Sequence, residues 1–121
     1  MATIKNFEDL DIWKNARIVT KQVYKDFHSN RDFGYREQIQ RASVSIMNNI
    51  AEGFCRQTKR EKINFCNFAK GSAGEVKNMY YVAEDLSYLS ANDCIERRNT
   101  IQRLINGISG FMHYLENDNP K

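Results

Sequence analysis

Apolar residues recur at three- and four-residue steps along most of the chain, the spacing of one face of an α-helix. Leu10, Trp13, Ala16, Val19, Val23 and Phe27 form the first such stripe. They predict a helix over 7–27, with Asn6 as its cap and Asp9 near the positive end of its dipole. His28-Ser29-Asn30-Arg31-Asp32 is polar and aperiodic and reads as a loop. Ile39, Ala42, Ile46, Ile50 and Phe54 predict a second helix over 34–55, stopping where Gly53 makes a helix end available. Thr58-Lys59-Arg60-Glu61 has the form of a capping box, in which hydroxyl and carboxylate satisfy the first free amides of a helix. The third helix, predicted over 59–89, follows on Cys66, Ala69, Ala73, Val76, Tyr80 and Ala83. Gly71 and Gly74 lie within it at a cost of roughly 1 kcal/mol each relative to alanine, leaving a shallow place where a backbone or ring can approach. Ser90-Ala91-Asn92 then leads into a fourth helix over 92–116, striped by Ile101, Leu104, Ile105, Ile108, Phe111, Met112 and Leu115. The polar tail 116–121 is expected to fray.

Short connections make successive helices antiparallel neighbours, so the predicted fold is an all-α, antiparallel up-down-up-down four-helix bundle forming a single domain over 1–121. Composition agrees. The chain has 121 residues, one proline (Pro120) and six glycines, too few turn formers for a β-sandwich. No apolar run approaches the ~18 residues of a membrane span, and Met1-Ala2-Thr3-Ile4-Lys5-Asn6 lacks the apolar core of a signal peptide, so no membrane partner and a cytoplasmic location are expected.

Candidate chemistry is sparse. Cys55, Cys66 and Cys94 make an odd number without a C-x-x-C pair, and His28 and His113 have no ligand-spaced companion, so neither metal nor cofactor is expected. There is no glycine-flanked nucleophile elbow and no phosphate-cradling loop, and the chain reads as a non-enzyme. The formal net charge is +3, yet residues 36–70 hold seven basic side chains against three acidic ones. The densest basic run contains Arg56, Lys59, Arg60 and Lys62 at the connection of helices two and three, where the dipole and free amides of a helix start would help hold phosphate. A solvated loop is the plainer reading of the same run. The second helix also carries Gln38, Arg41, Ser45, Asn48, Asn49 and Glu52 beside its apolar stripe, short polar groups that compete with helix backbone. With Ser72 and Glu75 of the third helix, they suggest a polar network of Arg41, Asn49, Glu52, Ser72 and Glu75 that fixes helix register or subunit contacts. Independent surface residues are the alternative.

Three segments carry a family resemblance: Phe7-Glu8-Asp9-Leu10-Asp11-Ile12-Trp13; Gln38-Ile39-Gln40-Arg41-Ala42-Ser43-Val44-Ser45-Ile46 running into Asn49-Ile50-Ala51-Glu52-Gly53-Phe54; and Phe68-Ala69-Lys70-Gly71-Ser72-Ala73-Gly74-Glu75. The chain resembles, over roughly 7–89, the four-helix bundle proteins encoded in intervening sequences of 23S rRNA genes, a family that includes accessory variability proteins of diversity-generating retroelements. The resemblance implies a homopentamer with a basic surface for RNA or DNA and, in retroelement members, a reverse transcriptase partner. It brings no catalytic residues.

Three functional readings follow. The favoured one is a non-enzymatic oligomeric scaffold that binds nucleic acid or a nucleic-acid-processing partner through its basic surface. A purely structural, protein-interaction oligomer comes second, and a hidden hydrolase trails. The oligomer also has a motive in packing, because the third helix adds Phe65, Phe68, Met79, Tyr81, Val82 and Leu86 to its seam, more than one core face absorbs.

Overall fold

A computed structural model, which describes residues 4–117, contains a 3-10 turn at Phe7–Asp9 and four helices: α1 (Asp11–Asp26), α2 (Phe33–Cys55), α3 (Lys59–Asp85) and α4 (Ala91–Asn117). Contacts between helices run in opposite directions along each neighbouring pair. Tyr35 reaches Met79 and Ser45 reaches Ser72 across α2 and α3, while Lys77 reaches Gln102 and Arg98 reaches Tyr80 across α3 and α4. Asp26 meets Arg97 and Ile12 faces Gly107, which sets α1 antiparallel to α4 and closes the bundle. The core between them is built from the predicted stripes, with Ala16, Val23, Ile39, Ile46, Ala69, Ala73, Val76 and Ile108 wholly buried. At one end Phe27 is flanked by Tyr35 at 5.2 Å and Tyr80 at 5.5 Å, and Tyr88 from the α3–α4 connection meets Tyr35 edge-on at 5.1 Å.

Helix ends depart from expectation where tertiary packing decides them. The first helix starts at Asp11 rather than at 7: after the 3-10 turn, Leu10 is extended (φ −73°, ψ 130°), and the Asn6 side chain makes no capping hydrogen bond. This break lets Leu10 enter the core while Phe7 meets Trp13 edge-on at 5.4 Å. α2 ends at Cys55, as predicted, but without a glycine cap: it runs through Gly53, which has no left-handed backbone. α3 begins on the predicted box: Thr58 Oγ1 accepts from the Glu61 amide at 3.1 Å, and the Thr58 hydroxyl donates to Glu61 Oε1 at 3.0 Å. The predicted tail is helical at Glu116 and Asn117, while 118–121, like 1–3 of the predicted domain, lie outside the described residues.

α3 ends at Asp85 instead of running to 89 because the chain closes there in a Schellman arrangement. The Tyr88 amide donates to the Ala83 carbonyl at 2.8 Å and the Ser87 amide to the Glu84 carbonyl at 3.1 Å. Ser87 takes the left-handed position with φ 58°, where glycine is the usual occupant. Glycine relieves the Cβ strain of that conformation, so Ser87→Gly is expected to raise stability by about 1 kcal/mol, read as a higher midpoint in urea unfolding with an unchanged slope.

Candidate functional site

The α2–α3 connection gathers the four predicted cations and ties Arg56 and Lys62 to partners within the chain. Arg56 pairs with Glu52 at 2.7 Å and approaches Glu61 at 3.8 Å, and its guanidinium lies 4.7 Å from the centre of the Phe65 ring. Lys62 donates to the Phe54 carbonyl at 2.7 Å, supplying a partner to one of the carbonyls left open at the end of α2. Lys59 and Arg60 are exposed in the first turn of α3. The connection is therefore tied down by its own charges, and Glu52 and Glu61 neutralise part of the field that a phosphate would meet.

Gly53 holds this end of the bundle together. A Cβ added there would stand 2.8 Å from Phe65 Cβ and 3.3 Å from the Lys62 carbonyl oxygen, so α3 crosses α2 on the bare glycine backbone. Gly71 and Gly74 behave otherwise, since a Cβ at either would meet nothing within 4 Å, and the expected close approach at those two positions is not made within the chain.

Of the five residues expected to form one polar network, Asn49 and Ser72 are joined through Ser45, while Arg41, Glu52 and Glu75 lie apart from them. Ser45 and Ser72 share a hydrogen bond of 2.9 Å, and Asn49 Nδ2 donates to the Ser45 carbonyl and hydroxyl at 2.9 and 3.0 Å. Glu75 is exposed and accepts from Gln38 at 3.2 Å; Glu52 turns to Arg56. Arg41 is exposed and pairs with no carboxylate among the described residues, lining an open recess with Tyr24, Glu37 and Asn48. Arg41 and Glu75 do not meet: they lie on outer faces, where water competes with any pairing.

The buried polar groups are elsewhere, and sequence reasoning missed them. Asp26, at the end of α1, accepts from Tyr80 Oη and Arg97 Nε on one oxygen, both at 2.8 Å, and from Gln22 Nε2 at 2.8 Å and Arg97 Nη2 at 3.1 Å on the other. Its side chain is 6% exposed. Burial first, and then the neighbouring Asp26 carboxylate, push the Tyr80 phenol well above its ordinary range, so it remains a donor. A second set joins α3 to α4: Arg98 lies 2.8 Å from Glu84 Oε1 and 3.9 Å from the centre of the Tyr81 ring. Asp32 caps α2 by accepting from the Tyr35 amide at 3.2 Å and also accepts from Tyr88 Oη, and these bonds, that from Tyr88 foremost, hold its carboxyl below the usual carboxylate range. Burial raises the Cys66 thiol to about 11, which leaves it a neutral core group.

A further surface was also overlooked. Between Asp11 and Asp26, α1 carries Lys14, Arg17, Lys21 and Lys25 and no acidic residue. All four are exposed. Among the described residues none forms an ion pair, although Arg17 rests 5.6 Å from the Trp13 ring centre. Three recesses open beside Ile18: one of about 370 Å³ on α1 between Lys14, Arg17 and Lys21, and two on the seam of α1 and α4, one of about 240 Å³ reaching Asn15, Thr100 and Arg103 and one of about 100 Å³ reaching Tyr80 and Arg97. The signal that could have found this surface is the run 12–25, which has four cations and no carboxylate.

Helices of this length and order, joined by short connections and with their chemistry confined to the outer faces and helix ends, define the class of small four-helix bundle proteins. Within that class the chain belongs to the family of 23S rRNA-intervening sequence proteins, which it matches over residues 8–110. No curated protein matches it. A solved structure with the same fold is a protein with unknown function from the S23 ribosomal protein family of Bacteroides thetaiotaomicron, determined at 1.70 Å resolution. The two share 19% identity with a TM-score of 0.78, over 84% of this chain and 97% of that one. No helix among the described residues is long and apolar enough to cross a membrane.

Proposed function

We propose that the protein is a non-enzymatic homo-oligomeric scaffold that engages nucleic acid, or a partner that processes it such as a reverse transcriptase, through a basic surface. The observation that carries this reading is the outer surface of α3. Its inner face is already filled by Cys66, Ala69, Ala73, Val76 and Tyr80, while Phe68, Tyr81 and Leu86 are each half or more exposed. Met79 is buried and Phe65 and Val82 are partly covered, so the apolar excess is smaller than the sequence count but remains. Large exposed apolar side chains are covered most economically by another copy of the same chain, and the family resemblance implies five. Five copies multiply every exposed cation, so weak phosphate contacts act together on one polyanion.

Light scattering behind a sizing column tests the assembly, and anisotropy of a fluorescein-labelled RNA tests the binding. An oligomer mass with affinity falling at least ~tenfold between about 50 and 200 mM salt is the expected result. A monomer mass at micromolar concentration overturns the scaffold. An oligomer that binds no RNA or DNA at low salt leaves the structural, protein-interaction reading in its place.

A further inference from the structure

We infer that nucleic-acid backbone lies on the outer face of α1, along Lys14, Arg17, Lys21 and Lys25 and across the seam to Arg103 of α4, rather than on the α2–α3 connection. This rests on the nucleic-acid reading above and gives it a place.

Three observations converge on that face. The first is its charge pattern. Lys14 and Arg17 are three residues apart, and Arg17, Lys21 and Lys25 follow at steps of four, so like charges are direct neighbours on the helix surface and repel by about 0.2–0.5 kcal/mol per pair. An outer face serving only solubility gains by alternating signs, as Glu52 and Arg56 do at the same spacing where α2 ends. The α1 face forgoes that gain over four cations spanning ~16 Å of helix, and a polyanion laid along it removes the repulsion.

The second is competition. At the connection, Arg56 and Lys62 have partners that phosphate would have to displace, a carboxylate at 2.7 Å and a carbonyl at 2.7 Å. On α1, no carboxylate among the described residues pairs with any of the four cations.

The third is shape. The recesses beside Ile18 carry the cationic strip past the Asn15 amide of α1 onto α4, where Thr100 and Arg103 offer hydroxyl and guanidinium donors. Among the described residues, Arg103 donates to the Thr100 hydroxyl alone, at 3.2 Å. Such a strip suits a backbone of repeated phosphates read without regard to base. An anionic membrane fits less well, because a helix lying on lipid needs its apolar side for insertion and α1 has spent Ile12, Ala16, Val19 and Val23 on the core.

Two charge-matched variants test the assignment: K14E/R17E/K21E on α1 and K59E/R60E/K62E at the connection, each taking the formal net charge of the chain from +3 to −3. The neutral set K14Q/R17Q/K21Q guards against repulsion introduced by glutamate. Circular dichroism and oligomer mass confirm that each variant is folded and assembled as the parent is. The probe is a fluorescein-labelled 30-nucleotide RNA of mixed sequence, with phosphatidylserine vesicles as a second probe. The expected result is a loss of at least ~tenfold in RNA affinity for both α1 variants with a shallower salt slope, against about threefold or less for the connection variant. Equal losses in the two glutamate variants, or a larger loss at the connection, overturn the assignment to α1 while the nucleic-acid reading stands. A parent that binds neither this RNA nor a DNA of the same length at low salt overturns both, and one that binds only the vesicles, and loses them in the α1 variants, makes the α1 face a membrane surface instead.

Discussion

Replacing Gly53 with alanine is expected to lower stability by about 2–3 kcal/mol, although the same change at an exposed helical glycine raises it. The reason is where the new methyl would stand. Phe65 Cβ, 2.8 Å away, is the root of a side chain and cannot swing aside, and the Lys62 carbonyl at 3.3 Å belongs to the first turns of α3, so relief requires the two helices to move apart. That movement also disturbs the Arg56–Phe65 stacking and the Lys62 bond to the Phe54 carbonyl, which close the same corner. Gly71→Ala and Gly74→Ala serve as the contrast, each expected to gain about 0.5–1 kcal/mol in the isolated chain. Urea midpoints for the three variants decide the matter, and a Gly53→Ala protein as stable as the parent would remove the close crossing from the account.

Arg97→Ala is expected to cost more, about 3–5 kcal/mol, because it leaves the Asp26 carboxylate buried with, among the described residues, Tyr80 and Gln22 as its remaining donors. The loss corresponds to roughly 10–20 °C in melting temperature for a chain of this size. Exposed Arg60 provides the reference, since Arg60→Ala touches no buried partner and should stay within about 0.5 kcal/mol. Replacing both members, as in D26L/R97L, should recover part of the stability by removing the unmatched charge. If Arg97→Ala melts with the parent, the pair is solvated and the clamp between α1 and α4 does not exist.

The helices were legible in the sequence because each buries one stripe, and a stripe repeats with the helix period. Ile39, Ala42, Ile46 and Ile50 entered the core as the spacing predicted, and Thr58 capped α3 as its box announced. Ends were less legible, being set by partners distant in sequence. The stop after Asp85 needs Ser87 in a conformation its identity does not advertise, and the late start of α1 depends on where Leu10 and Phe7 find room. The polar features failed for a related reason. Arg41 and Glu75 looked like network members by spacing, yet spacing fixes only which residues share a helix face and not whether that face is covered. Asp26 and Arg97 are 71 residues apart, with nothing local to link them. The cation strip of α1 needed no tertiary information, since 12–25 holds four cations and no carboxylate.

An even number of antiparallel helices returns the chain to the end from which it set out. The start of α1 and the close of α4 therefore share one end with the α2–α3 connection, while the loop before α2 and the turn after α3 meet at the other, where Tyr88 bonds to Asp32. A tag or tethered partner attached at the start of α1 or the close of α4 emerges at the same end of the bundle as Thr58. Probes that must leave it undisturbed belong at the opposite end, on exposed Ser29, which lies past the last turn of α1 and away from both attachment points.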